Sequence, residues 1–196
     1  MIDTTDSISR FWKKPSRRFA AIAVVFASLL AGVAAAEGVT VTSAKLEATD
    51  EGYQLNADFD LQLAPAMQEA VRKGVPLYFV VEFELTQGRW YWLDQKVVQE
   101  VRDRRVSYAP LTEQYRVTVS GFSQNVATFD EVRRILSRIR SWTVLDKARL
   151  RPGEKYEAAL RFRLDTTQLP KPFQLSVLTA KEWSLSSDWH RWTVTP

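Results

Sequence analysis

From Tyr53 to Leu63 every second residue is apolar: Tyr53, Leu55, Ala57, Phe59, Leu61 and Leu63, with Gln54, Asn56, Asp58, Asp60 and Gln62 between them. Side chains of an extended strand alternate between two faces, so this run describes a strand with one face buried and the other wet. The same period recurs. Residues 39–48 make a partner strand across Thr49-Asp50-Glu51-Gly52, a hairpin signature. Over residues 77–86, Leu77, Phe79, Val81, Phe83 and Leu85 point one way, and Tyr78, Val80, Glu82 and Glu84 the other. Residues 115–119 alternate again, as does the stretch with Tyr156, Ala158, Leu160, Phe162 and Leu164 inward, which the turn Arg151-Pro152-Gly153-Glu154 joins to residues 142–150. Residues 96–108 are extended but heavily charged, the profile of an exposed or edge strand. Residues 173–179 and 189–195 read as final strands.

Two segments break the period. Pro65 stands where a first helical residue would, Met67, Ala70 and Val71 form a short apolar stripe, and Gly74 with Pro76 stops it. Thr128 and Glu131 form a capping box before a helix over 129–140, with Val132, Ile135, Leu136 and Ile139 on one face and Arg133, Arg134, Arg138 and Arg140 on the other. The pattern predicts a mainly β fold: an antiparallel β-sandwich of about eight strands with two short helices. An outer-membrane barrel does not fit, because the outward faces carry Asp, Arg and Glu where lipid demands apolar side chains.

Residues 1–36 have a separate logic. Arg10, Lys13, Lys14, Arg17 and Arg18 precede the apolar run Phe19–Val33, and Ala34-Ala35-Ala36 supplies the small residues a signal peptidase reads. Basic head, apolar core and small-residue end are the parts of a secretory leader. The apolar run is about 15 residues against the roughly 20 a membrane span needs; the three alanines lengthen it, so an uncleaved anchor over 19–36 is the alternative. With no cysteine there is no lipobox. The remainder, 37–196, has the size of one β-rich domain, expected in the periplasm or otherwise exported, or else tethered to the inner membrane.

The leader also explains the charge. The chain has 27 basic and 23 acidic residues; residues 1–36 hold five and two of them, leaving 22 against 21. A nucleic-acid reading has no basic footprint left to stand on.

Chemistry-bearing residues are few. His190 is the lone histidine and there is no cysteine, so a zinc or transition-metal site lacks its usual ligands. A Ser-His-Asp grouping would draw on His190 with Ser186, Ser187 and Asp188, without a nucleophile-elbow pattern. Glu82 and Glu84 stand side by side on one strand face rather than flanking a bound sugar, and are expected to meet cross-strand arginines among Arg89, Arg102, Arg104 and Arg116. Asp58 and Asp60 read as a solvated strand face. No glycine-rich phosphate loop is present, and no cofactor is expected. Two features rise above this background. Trp90, Tyr91, Trp92, Trp183, Trp189 and Trp192 are either core packing or an exposed platform for a partner or ligand. The arginine face of helix 129–140, with Arg102, Arg104 and Arg105, is either solvated or meets anionic lipid headgroups or an acidic partner.

Gly74-Val75-Pro76-Leu77, Glu82-Phe83-Glu84-Leu85, Arg89-Trp90-Tyr91-Trp92, Leu169-Pro170-Lys171-Pro172 and the closing Trp183-Ser184-Leu185-Ser186-Ser187-Asp188-Trp189-His190-Arg191-Trp192 give the chain a recognisable outline. Over residues 39–194 it resembles the secreted bacterial proteins grouped as domain of unknown function 4390. The resemblance implies no assigned activity; it implies a periplasmic accessory or sensing role, with a membrane sensor kinase as a partner. The expected function is a non-enzymatic binding or accessory module for an envelope protein or sensor. The alternative is an envelope hydrolase using Glu82, Glu84 or Asp188 with His190.

Overall fold

The alternation over 53–63 folds as a strand, β2 (Tyr53–Gln62), whose apolar row is buried from Tyr53 to Leu61. The computed structural model describes residues 38–88, 95–177 and 183–196. Residues 1–36, expected to be a leader, and the Trp90-Tyr91-Trp92 motif lie outside them. Strand β1 (Gly38–Ala48) pairs antiparallel with β2 across the expected turn. A Cβ on Gly52 would stand 2.4 Å from the Leu145 carbonyl oxygen, so only glycine lets this turn pass the end of β7 (Arg138–Leu145). Helix α1 (Pro65–Arg72) follows with Pro65 in its first turn and Met67, Ala70 and Val71 buried.

Strands β3 (Leu77–Gln87), β4 (Gln95–Ala109), β5 (Gln114–Val119) and β6 (Phe122–Val126) then run as a meander. The β5–β6 hairpin turns on Ser120 and Gly121, with φ of 48° and 87°, the pair of positive values a two-residue hairpin with matched twist requires. After α2 (Phe129–Leu136) and β7, the chain adds β8 (Tyr156–Leu164), α3 (Lys171–Val177) and β9 (His190–Val194).

Two antiparallel sheets result: three strands in the order β1-β2-β7, and six in the order β6-β5-β4-β3-β8-β9. They pack as a sandwich. Phe59 of β2 meets Phe162 of β8 with ring centroids 5.2 Å apart, and Phe162 in turn meets Phe79 of β3 at 5.6 Å. The inward rows of β2, β3 and β8 form one continuous core. No helix among the described residues is long and apolar enough to cross a membrane.

Four local expectations need correction. The helix expected over 129–140 ends at Leu136, and residues from Arg138 on form β7. The open edge of β2 captures them: the Phe59 amide donates to the Ser137 carbonyl and Arg138 pairs with Asp58. Ile139 is buried either way, which is why helical spacing accommodated it. The charged 96–108 stretch is exposed along much of its length, as expected, but it is no edge; β4 lies between β3 and β5. Of the stretch 173–179 the described part is not strand, since Lys171–Val177 are helical, giving three α-helices among the described residues where two were expected. Residues 142–150 are strand only to Leu145, followed by a 3-10 turn at Lys147–Arg149.

Candidate interaction surface

The small sheet covers the inward face of the large one, so the chemistry of the large sheet is displayed on its other side. Alternation sends Tyr78, Val80, Glu82 and Glu84 of β3 outward. In register with Glu82 stand Val101 of β4 and Arg161 of β8. The Glu82 carboxylate accepts from Arg161 Nε at 2.8 Å and Nη2 at 2.5 Å, and its other oxygen accepts from Arg163 Nε at 2.9 Å. Arg161 also lies over the Trp189 ring, 4.5 Å from its centroid. Arg105 stacks over Tyr78 at 5.5 Å beside them. Val101 is 52% exposed among these polar groups.

Burial pushes the Glu82 carboxyl up, but the hydrogen bonds and charges of Arg161 and Arg163 outweigh it and hold the group below the usual glutamate range. Glu82 is therefore an ionised clamp holding two arginines. The expectation of cross-strand arginines is met by different residues from those named. Arg102 and Arg104 sit on the opposite face, Arg116 bonds Asn125, and Arg89 lies outside the described residues. Glu84 pairs with Lys96 at 3.0 Å.

The sheet does not bring the proposed hydrolytic groups together. His190 is in register with Leu160, on the sandwich-facing side, with its ring 5.6 Å from Trp192. Glu82 is on the other side of the same sheet. Ser187 is buried, its hydroxyl accepting the Phe162 amide at 3.1 Å while its own amide donates to the Phe162 carbonyl at 2.8 Å. It extends the ladder in place of a strand residue. Asp188 is exposed.

The described tryptophans also separate. Trp183 is buried against Phe173, with centroids 5.6 Å apart. Trp192 closes the rim of the core against Phe83 at 6.3 Å. Trp189 alone joins the outer face, under Arg161. These three do not form one platform, and Trp90, Tyr91 and Trp92 are outside the described residues.

The arginine cluster divides likewise. Arg133 pairs with Asp130, Arg134 with Glu131, and Arg140 with Asp58. The hydrogen bond from Arg140 holds Asp58 below the usual aspartate range, so Asp58 is a paired group, while Asp60 is exposed as expected. Arg102 turns inward and stacks on Trp142 at 4.6 Å. Arg104 is 2% exposed and donates to the carbonyls of Ile135, Leu136 and Arg138 at 3.3, 2.5 and 3.0 Å. Those acceptors lie at and just past the end of α2, where carbonyls lack helical partners. Burial and the nearby Arg102 charge push its guanidinium down to about 10. Arg105 faces outward, so the three β4 arginines do not extend one basic face.

Sequence reasoning missed Arg161, Arg163 and Tyr78 as parts of a surface. It also missed the stacked Tyr108, Tyr115 and Phe129, with successive centroids 5.0 and 5.5 Å apart, beside an open cleft of about 410 Å³. Their spacing signalled only strand faces; register across strands was needed to group them.

The architecture defines a mainly β, antiparallel domain of the sandwich type, with arginine and aromatic side chains ordered on the outer face of its larger sheet. The chain belongs to the family described as Domain of unknown function (DUF4390), whose model matches residues 36–193. No curated protein and no solved structure matches it.

Proposed function

We propose that the domain is exported behind residues 1–36 and acts in the periplasm as a non-enzymatic binding module for an envelope protein, docking through the outer face of the six-stranded sheet. The observation that carries this reading is the ordered array Arg163–Glu82–Arg161–Trp189. Arginine, tryptophan and tyrosine supply most of the energy at protein interfaces. A flexible arginine normally loses about 0.5–1.5 kcal/mol of rotamer freedom on docking. Here Arg161 is already fixed between a carboxylate and an indole ring, so that cost is largely met within the folded domain. The basic-apolar-small order of the N-terminus supports export, and the family match beginning at residue 36 supports a boundary there.

Crosslinking in cells followed by recovery of the tagged protein from membranes tests the reading. One envelope protein is expected in near-equal amount with the wild type, and at least about tenfold less with Trp189→Ala plus Arg161→Glu, a loss of roughly 1.4 kcal/mol or more. Equal recovery by wild type and variant would overturn the assignment of this face.

A further inference from the structure

Every open sheet ends in strands with unpaired backbone donors and acceptors, which proteins blunt with charge, proline, bulges or cover. Among the described residues the sheet ends are β1 and β7 of the small sheet and β6 and β9 of the large one. Strand β1 carries Lys45 and Glu47 and is bulged between Val41 and Ser43. Strand β7 carries Arg138 and Arg140, and its register against β2 is broken twice. Strand β9 carries His190 and Arg191. Strand β6, Phe122-Ser123-Gln124-Asn125-Val126, has no charge, no proline and an unbroken register against β5. Its first four residues are exposed, and Phe122 is 85% exposed on the sandwich-facing row, opposite Val119.

The sequence of β6 specifies what fits this edge. Paired antiparallel with itself about Gln124, it sets Phe122 opposite Val126, Ser123 opposite Asn125, and Gln124 opposite its own copy. Aromatic meets β-branched, hydroxyl meets amide, amide meets amide, and no like charges meet; such cross-strand pairs stabilise a ladder. Parity keeps both Phe122–Val126 pairs on the sandwich side, where Phe122 lacks cover, and the Ser123–Asn125 pairs on the outer side. We propose that β6 is a homodimerisation strand, joining two copies about a two-fold axis through Gln124 into one twelve-stranded antiparallel sheet. A contact of one five-residue strand per copy falls at the small end of specific interfaces, so the association is a weak one with a dissociation constant on the order of micromolar.

Sedimentation of the purified protein from about 1 to 100 μM tests this, bracketing a micromolar constant. The wild type is expected to pass from monomer to dimer across the range. Gln124→Lys and Gln124→Glu each set like charges face to face on the axis, and each is expected to weaken association by more than about tenfold. Mixed in equal amounts, the two variants are expected to recover the dimer, because only the two-fold register places residue 124 against itself. Gln124 is exposed, so neither change enters the core; unchanged tryptophan fluorescence verifies that both fold. A wild type that stays monomeric at the highest concentration, single variants that dimerise as the wild type does, or folded variants that do not recover on mixing would each overturn the proposal. A monomer leaves the outer-face reading intact, since that reading concerns β3, β8 and Trp189 rather than the β6 edge and is scored by membrane recovery.

Discussion

At Glu82 one carboxylate fixes the geometry of two neighbouring arginines, and they in turn fix its charge state. The carboxylate is held in the ionised form by Arg161 and Arg163, so its folded-state pKa lies below the ordinary 4.5. A depressed carboxyl contributes stability that is present above its unfolded pKa and is lost as pH falls through the folded value. Glu82→Gln is therefore expected to lower unfolding free energy by about 2 kcal/mol at neutral pH, the scale of a hydrogen bond to a charged group. The gap between wild type and variant should begin to narrow as the pH falls below the ordinary value of 4.5 and close only once the pH has passed the lower folded value. Urea titrations of both proteins across this range measure it. Asp58 and Glu131, which also titrate low but share no partner with Glu82, cancel in the difference, whereas Asp165 shares Arg163 with Glu82 and reports on the same clamp. A gap that does not change with pH would remove the electrostatic account of the clamp.

At the level of elements, α2 shows what is and is not legible in a sequence. Its start was readable because the capping box is local: Thr128 accepts the Glu131 amide, and Glu131 accepts the Thr128 amide. Its end was not, because the competitor for residues 138–145 is β2, about eighty residues earlier in the chain. Arginine in β4 misled for the same reason. A charged residue on an inward strand row has no sequence signature of its partner, and the partner of Arg104 is a set of backbone carbonyls that any sequence would present. The partners of Glu82 were hidden too, since Arg161 lies 79 residues away. β6 escaped notice because pairing with β5 and a two-residue turn hold it, whereas burial does not, and its polar residues blur the period. The inward rows of β2, β3 and β8 were read correctly, since burial fixed them residue by residue. Arg104→Met tests the helix-end role. Removing a buried charge is favourable by itself, but three carbonyls then lose their donor at about 1–3 kcal/mol for each left unsatisfied. The loss is expected to win, with a net destabilisation of roughly 2–3 kcal/mol and a lower urea midpoint at unchanged slope. An equal or higher midpoint would mean that the carbonyls find other donors.

For the molecule as a whole, the decisive asymmetry is between a three-stranded and a six-stranded sheet sharing one core. Both are completed late in the sequence: β7 closes against β2, and β8 inserts beside β3. A chain ending at Ser137 keeps β1 to β6 but has neither closing strand, and Phe59 and Phe79 lose Phe162. Such a fragment is expected to be protease-sensitive and to lack a cooperative urea transition, whereas the complete chain shows one. A cooperative transition in the fragment would show that the meander is a folding unit by itself.

That order of closure has a meaning in time. Pairings between strands distant in sequence must overcome loop-closure entropy before they are rewarded, so folding belongs to the slower, millisecond-to-second regime of β topologies. Strands β7 and β8 lie in the last third of the chain. Until they have been synthesised, the growing polypeptide has apolar rows but no finished surface on which to bury them. For the export route proposed above, this delay is useful. A chain that stays open while most of it is made can still be threaded through a narrow channel, and its two sheets then lock together on the far side.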